Sequence, residues 1–461
     1  MGRYDLFRPV KSGRVGRPDV DVNLKLMATL GKMNVSYTDT RLLFAGIDVP
    51  PPAEKTLQSW ANKVSAVYKE ANEQTMADNC EMLKFVQRVT ETFQVIVMID
   101  TVYNNSPKGR GFYQPGTQSF TPLIDAVTGL VLAVIAFNKV CSRNCDGVCE
   151  NCTANFAKHL SMDKSEEFAT KTNIQAVLDK GLKITHVLAD GSHRIRQVLQ
   201  AIAKELGVKI EKLECLVHRN RSLRRHFYSL SFSVRLVGRE DSPEHNYKKA
   251  ALVEALAARC CSELIRAKQK FGNDIGAFQL FMVQSRYNIL DCFQGHHDNC
   301  ELLSLVCKGK CDTPPRYLPN SAYINPTAKD IILLKDCINR VLGDNYILEC
   351  RYGLSTNKVE ALHHRTLKLL PKTKLYKLNF SGRNHSAMQN ASIGLVQSLK
   401  VATEKLGTQH KSSKTEQFFR NLEKVNANKR KSQRSVTFKA KRKLSTRKKI
   451  TLKKLSKKAA K

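Results

Sequence analysis

The chain lacks any apolar stretch long enough to cross a bilayer. Its longest uninterrupted run, Leu130 to Phe137, falls well short of the roughly 18–20 residues that a spanning helix needs. The opening segment MGRYDLFRPVK has no apolar core of the kind a secretory signal carries, so an intracellular protein with no membrane partner is expected. Acidic residues are scarce: 41 Asp and Glu stand against 76 Lys and Arg, a formal charge of +35. Such an imbalance favours a polyanionic partner, because each neutralised phosphate releases condensed counterions. Nucleic acid is the first expectation and an anionic membrane surface the second. With 42% hydrophobic residues over a length of 461, the chain can bury at least one large core, which excludes a wholly solvated filament.

The scarcity of acid is complete at the C-terminal end. Residues 429–461 hold 16 Lys or Arg and no Asp or Glu, leaving about +19 on the rest; they read as a disordered basic tail. The clusters KAKRK and RKK suit nuclear import, and the tail suits contact with nucleic acid, against the plainer reading of a solubilising extension. Fourteen cysteines in a reducing compartment read as metal ligands and buried small residues, not as a disulfide framework.

Apolar periodicity divides the chain. The first 85 or so residues read as helical, with a helix to about Lys32, another over Ser36–Ala45, a Pro50-Pro51-Pro52 stop and a third through Trp60; two short helices on a tight link suit a helix-turn-helix or plain packing. Strands are expected at Gln94–Ile99, Thr121–Ala126 and Leu130–Phe137, the last two as a hairpin. Next come a helix over Asp163–Lys180, a strand over Ile184–Leu188, a helix carrying Ile195 to Leu206, and a strand over Leu213–Val217. The order of three strands, helix, strand, helix, strand matches a ribonuclease H-like α/β arrangement with a mixed sheet and flanking helices. The boundaries expected are an N-terminal helical region at 1–88, a first core part at 89–239 with a cysteine-rich insertion at 141–159, a helical insertion at 240–345, a last core part at 346–400 and a basic disordered tail at 401–461.

Three acidic residues stand in unusual surroundings: Asp100 ends QVIVMID, Asp190 ends ITHVLAD, and Glu360 lies in STNKVEALHH. A carboxylate at the mouth of an apolar strand does not serve packing. In the ribonuclease H-like order the first and fourth strands are parallel neighbours, which brings Asp100 and Asp190 together. Three carboxylates can hold two Mg²⁺ or Mn²⁺ ions for phosphodiester cleavage. Taken singly, Asp190 also suits a helix cap and Asn357-x-x-Glu360 a capping-box variant. Arg194 and Arg196 follow Asp190, and Arg219, Arg221, Arg224 and Arg225 follow His218, where they would meet DNA phosphates or simply line solvated helix faces.

Cysteine spacing points to zinc. Cys141, Cys145, Cys149 and Cys152, with His159 beyond a six-residue spacer, offer five ligands where a tetrahedral ion needs four. A second group, His297, Cys300, Cys307 and Cys311 after His296, suits another zinc knuckle or buried thiols beside exposed histidines. Cys215 and His218 make half a zinc site, a pair beside the carboxylates, or core residues at a strand end.

Several ordered strings resemble the Mutator-like transposases: VSYTDTRLLFAGIDVPPPAEKT, the strand ending at Asp100, LADG at Asp190, KLECLVH with Cys215 and His218, HHDNC at His296–Cys300, and CRYGLSTNKVEALHH followed by Pro371-Lys372. The resemblance covers about residues 25–400 and implies a DDE-type transposase with Asp100, Asp190 and Glu360 as its metal-binding triad and Cys215 with His218 as an accessory pair. It further implies double-stranded DNA partners (terminal inverted repeats and target DNA), a homo-oligomer, and cleavage followed by strand transfer. Around the triad the chain departs from the pattern. Ala189 and Ser192 flank the second aspartate where relatives resemble Gly-Asp-Gly-Asp, Tyr103 is near the place of a usual tryptophan, and Val359-Glu360-Ala361-Leu362-His363 replaces Asn-Glu-Ser-x-Asn. A domesticated, non-catalytic DNA-binding or chromatin protein is therefore the alternative expectation.

Overall fold

The structure is a computed structural model that describes residues 9–10, 19–90, 94–104, 116–143, 145, 149, 152–190, 193–272, 274–307, 309, 318–408 and 413–435. After a short antiparallel pair, Pro9–Val10 with Asp19–Val20, the longer elements begin with helices α1 (Asp21–Leu30), α2 (Tyr37–Ala45) and α3 (Glu54–Val89). Strands β1 (Val95–Ile99), β2 (Gln118–Asp125) and β3 (Val131–Asn138) follow. After them come α4 (Met162–Leu178), β4 (Ile184–Ala189), α5 (His193–Leu206), β5 (Glu211–Glu214) and α6 (Leu216–Ser229). Helices α7 (Pro243–Phe271), α8 (Ile275–Gln294), α9 (Ala328–Leu342), α10 (Asn357–Leu369), α11 (Phe380–Ile393), α12 (Leu395–Lys405) and α13 (Ser413–Arg434) complete the longer elements. The described residues fall into two compact units, one within Met76–His364 and one joining residues of Met1–Thr75 to residues of Arg365–Lys461.

The larger unit is built on a mixed sheet of order β3-β2-β1-β4-β5. Antiparallel pairing joins β3 to β2 and β2 to β1, whereas β1–β4 and β4–β5 are parallel. This is the ribonuclease H-like order expected from the sequence. All five residues of β1 are buried, so the strand reads as a continuous apolar run, as strands covered on both faces do. The hairpin between β2 and β3 closes through Asp125, whose side chain accepts from Thr128 N–H at 2.6 Å, with Gly129 at φ +78°. That φ is a conformation glycine adopts without steric cost. Each aliphatic side chain fully buried in the sheet core (Val97, Leu123, Leu132, Ile174, Val187, Ile195) contributes about 1.5–3 kcal/mol.

One sequence expectation is corrected in this unit. The strand placed at Leu213–Val217 ends at Glu214, and helix α6 begins at Leu216; Leu216, Leu223 and Phe227 recur at helical spacing and are buried. Those three pack in the same core as α7, α8 and α9, so the helical insertion recruits α6. Helix α3 extends to Val89, within the 85 or so residues expected to be helical; its first part buries Leu57, Val64 and Tyr68 in the core of the smaller unit, and its last part buries Cys80 and Leu83 against the sheet.

The smaller unit centres on Met27, Ala28, Leu57, Val64, Tyr68 and Ala402. Gly382 of α11 sits so close to α3 that an added Cβ would lie 1.7 Å from Ser65 Oγ. Lys32 is buried, donates to Ser386 O at 3.0 Å and to Ser398 Oγ, and lies 4.0 Å from the Tyr68 ring centroid; burial holds its amine well below the usual lysine value. The disordered tail expected from residue 401 is corrected over its described part, which continues α12 to Lys405 and adds α13. Phe418, Leu422 and Val425 lie on one face of α13 and Arg420 pairs with Glu416, a helical pattern that the surrounding basic charge masked. Residues 436–461, the most basic stretch, lie outside the described residues.

His385 supplies a pH prediction in this unit. Burial first, and then the charge of Lys69, lower its pKa from 6.5 to about 4, while Asn72 Nδ2 donates to its Nδ1 at 3.0 Å. The folded value lies below the unfolded one, so this contribution to stability is full above pH 6.5 and is lost as pH falls toward about 4. The loss amounts to about 3 kcal/mol. Amide exchange in α11, corrected for intrinsic rate, is expected to accelerate from pH 7 to 5, and His385→Gln to flatten that dependence; protection that is constant across the range would contradict it.

Candidate active site and metal centres

The sheet register sets the first two carboxylates. Parallel β1 and β4 pair Val97 with Val187 and Met98 with Leu188, and two residues beyond those pairs the chains leave the sheet at Asp100 and Asp190. Antiparallel pairing along β2 matches Ile99 of β1 with Leu123 and, in the short strand Val102–Tyr103, Val102 with Phe120. It therefore frames Asp100 against Pro122, which has no N–H to donate. Asp100 Oδ1 accepts from Thr101 N–H at 2.9 Å, and Thr101 Oγ1 lies 2.8 Å from Thr121 Oγ1. Both aspartates are partly exposed at the strand mouths.

Glu360 reaches the same unit from the first turn of α10. That helix is fastened at three points. Lys358 Nζ donates to Ala126 O at 2.7 Å and to Val127 O at the hairpin turn. Thr356, just before the helix, donates through N–H and Oγ1 to Cys215 Sγ, both at 3.3 Å. His363, three residues past Glu360 and buried, places Nδ1 3.3 Å from Asp100 Oδ2 and packs edge-on against Phe120.

Cys215 and His218 belong to this network. Cys215 is the N-cap of α6, and His218 lies in the first turn, its Nε2 3.8 Å from Glu360 Oε1 and its Nδ1 3.4 Å from Thr356 Oγ1. Burial raises the Cys215 thiol, but hydrogen bonds with His218 and Thr356 outweigh it and bring the pKa to about 7. His218 moves up, chiefly through its bond with Cys215. The pair thus stands beside the third carboxylate, one of the three placements that spacing had left open.

Glu166 is an acidic residue that sequence reasoning missed. Its pKa is pushed up to about 7, first by burial and then by the negative charge of Asp190 and Asp100. The signal was available: Glu166 falls between buried Met162 and Thr170 at four-residue steps along α4, where an apolar side chain is the rule. The oxygens of Asp100, Asp190 and Glu360 are not drawn into one tight set. Among the described residues, two groups of three or more ligand atoms lie within 4.8 Å of one another, and both are cysteine-rich.

The first of these is Cys141, Cys145, Cys149 and Cys152. Their Sγ atoms lie 3.4 Å apart for Cys141–Cys149, 3.1 Å for Cys145–Cys149 and 3.5 Å for Cys145–Cys152, in the loop that follows β3. Asn138 ties that loop's two ends, donating to Val140 O at 2.9 Å and to Thr153 O at 3.1 Å. His159 is exposed and stands outside the group. Four soft ligands in this arrangement can hold a zinc ion. The second group is Cys292, His297, Cys300 and Cys307; Cys311 lies outside the described residues, and Cys292 was not anticipated.

The arginines assigned to DNA are mostly engaged within the chain. Arg194 lies 3.6 Å from both Asp163 and Glu167, Arg196 pairs with Glu349, and Arg224 lies 2.8 Å from Glu254. Arg219 sits 3.7 Å from Glu214 with its guanidinium over the Tyr346 ring. Arg221 lies 3.9 Å from Glu360 Oε1, and Arg225 is exposed. No described helix is long and apolar enough to cross a membrane.

Among solved structures, the chain is similar to one titled "Drosophila P element transposase strand transfer complex", at 10% sequence identity and a TM-score of 0.33, covering 84% of this chain and 94% of that one. No curated protein matches. The family model for Mutator-like transposase matches residues 5–307, about two thirds of the sequence. A ribonuclease H-like sheet that presents Asp100 and Asp190 on parallel neighbours, and a family match running through both, lead to one conclusion: the chain belongs to the Mutator-like transposase family.

Proposed function

We propose that this chain is a catalytically competent DNA transposase, which binds terminal inverted repeats, cleaves DNA with divalent metal and joins the freed 3′-hydroxyl to target DNA. The observation that carries the reading is the parallel β1–β4 register that ends in Asp100 and Asp190, with Glu360 held nearby through His218 and α10.

The donor set suits a hard divalent cation. Carboxylate oxygens are the preferred ligands of Mg²⁺ and Mn²⁺, and Glu166, raised first by burial, is raised further by the charges of Asp190 and Asp100 at the strand mouths. Asp100, Asp190 and Glu360 would hold the ions. When bound, they supply a clamp on the attacking and leaving oxygens of the phosphodiester. His363 orients Asp100 through Nδ1, while Thr356, Cys215 and His218 fix the start of α10 and thereby Glu360. The cluster Cys141, Cys145, Cys149 and Cys152 would hold a structural zinc ion. Exposed Arg225 and the basic segment 429–461 would contact DNA backbone, and KAKRK with RKK would direct the protein to the nucleus. Pairing two ends for cutting favours a homo-oligomer.

Nicking and joining of labelled terminal-repeat duplex in Mg²⁺ or Mn²⁺ tests the reading. A second reading, a non-catalytic DNA-binding protein, is favoured by Ala189 and Ser192 beside Asp190; it requires duplex binding with no metal-dependent nicking. Because His218 acts through Glu360, His218→Asn is expected to raise the Mn²⁺ concentration needed for half-maximal nicking by about 10–100-fold, the range typical of groups that orient metal ligands. An unchanged metal requirement would remove His218 from this role.

A further inference from the structure

We infer that Cys292, His297, Cys300 and Cys307 form a second zinc site, inside the helical insertion and separate from both the acidic site and the Cys141–Cys152 loop. Their ligand atoms all lie within 4.8 Å of one another. The three cysteines are fully buried and touch one another as a small cluster of their own. His297 Nδ1 lies 3.5 Å from Cys300 Sγ and 3.4 Å from Cys307 Sγ. A tetrahedral ion with Zn–S of about 2.3 Å and Zn–N of about 2.0–2.1 Å requires S···N edges of roughly 3.5 Å, so the separations suit one ion at the centre.

The surroundings are those of a built site. With Nδ1 facing the thiols, His297 directs Nε2 to Tyr323 Oη at 3.1 Å, and the two rings pack edge to face. That outer bond selects the tautomer whose Nδ1 lone pair is free for metal. Asn288 Nδ2 donates to Cys300 Sγ at 3.4 Å, as an outer group does to a thiolate. The chain reaches the geometry because α8 stops at Gly295, whose φ of +91° turns the backbone so that His297 faces back toward Cys292 in the last turn of the helix. Cys300 opens the short helix Cys300–Leu303, and Ser304 Oγ, accepting from Cys307 N–H at 2.8 Å, returns the loop to the group. The sequence pattern is Cys-x₄-His-x₂-Cys-x₆-Cys. A free thiol cluster would have no need of a histidine so oriented.

The ion would tie the end of α8 to the loop that carries Ser304 and Leu305 onto α7, and so fix the insertion as one body. Metal analysis of the full-length protein, purified without added chelator, tests this. Two zinc ions per chain are expected, falling to one in Cys292→Ser and in Cys307→Ser. Because a serine variant could lose zinc by misfolding, His297→Cys is the control: it is expected to retain both ions, and after cobalt exchange to shift the visible absorption toward that of four-thiolate coordination. Cys311→Ser is expected to retain both ions. Retention of two ions in Cys292→Ser, loss of one in Cys311→Ser, or an unshifted cobalt spectrum in His297→Cys would each overturn the assignment.

Discussion

Asp100→Asn is expected to lower nicking of terminal-repeat duplex about a thousandfold or more while leaving the protein folded and bound to DNA. The estimate follows from the role proposed for the carboxylate. Divalent ions at a phosphoryl site supply several kcal/mol of transition-state charge stabilisation, and about 4 kcal/mol corresponds to three factors of ten in rate. Asparagine keeps the size of the side chain and an oxygen that can accept from Thr101 N–H, so the strand mouth has no reason to rearrange. What it removes is the negative charge. Affinity for duplex DNA, dominated by Lys and Arg contacts to phosphate, should stay within twofold, and Asp190→Asn should behave alike because the register makes the two residues equivalent neighbours. Nicking rates in saturating Mg²⁺ and in Mn²⁺, beside a filter-binding titration, provide the check. Equal rates for Asp100→Asn and the unaltered protein would remove Asp100 from the chemistry and leave the DNA-binding reading.

Much of the sheet that sets these residues was legible because its signals are local. The apolar runs at Val95–Ile99 and Ile184–Ala189 cannot be solvated, and right-handed parallel crossovers leave few ways to order the strands between them. Glu360 was legible only through its family string, since a glutamate in the first turn of a helix is ordinary. What the sequence withheld is long-range. Nothing local says that Thr356 meets Cys215 across 141 positions, or that His363 faces Asp100. Spacing did not single out Cys292 as a partner of His297 because it sits inside an amphipathic helix, where a cysteine reads as a small core residue. The α13 helix was hidden by composition: charge predicts disorder on average, yet Phe418, Leu422 and Val425 recur with helical period.

Glu263→Leu is expected to destabilise the helical insertion by about 3–5 kcal/mol, and to do so more than Arg259→Leu. Both residues of this i,i+4 pair on α7 are fully buried, 3.2 Å apart. Glu263 also accepts from Ser304 Oγ at 3.0 Å and from Leu305 N–H, and Arg259 donates to Ser304 Oγ at 2.9 Å. The asymmetry has a chemical cause. Without Arg259, the carboxyl can take up a proton and keep its neutral donors; without Glu263, the guanidinium stays charged because it does not deprotonate. Arg259 Nε and Nη1 already lie buried with no hydrogen-bond partner, so the pair is itself imperfectly compensated. The double variant Arg259→Leu with Glu263→Leu should therefore recover most of the loss, since burying no charge avoids the desolvation penalty altogether. Hydrogen exchange of α7 and α8 reads the local stability without assuming that a chain of two units unfolds in one step. If Arg259→Leu proves the costlier single change, or the double variant is no better than Glu263→Leu, the charge itself is not what the insertion core must compensate.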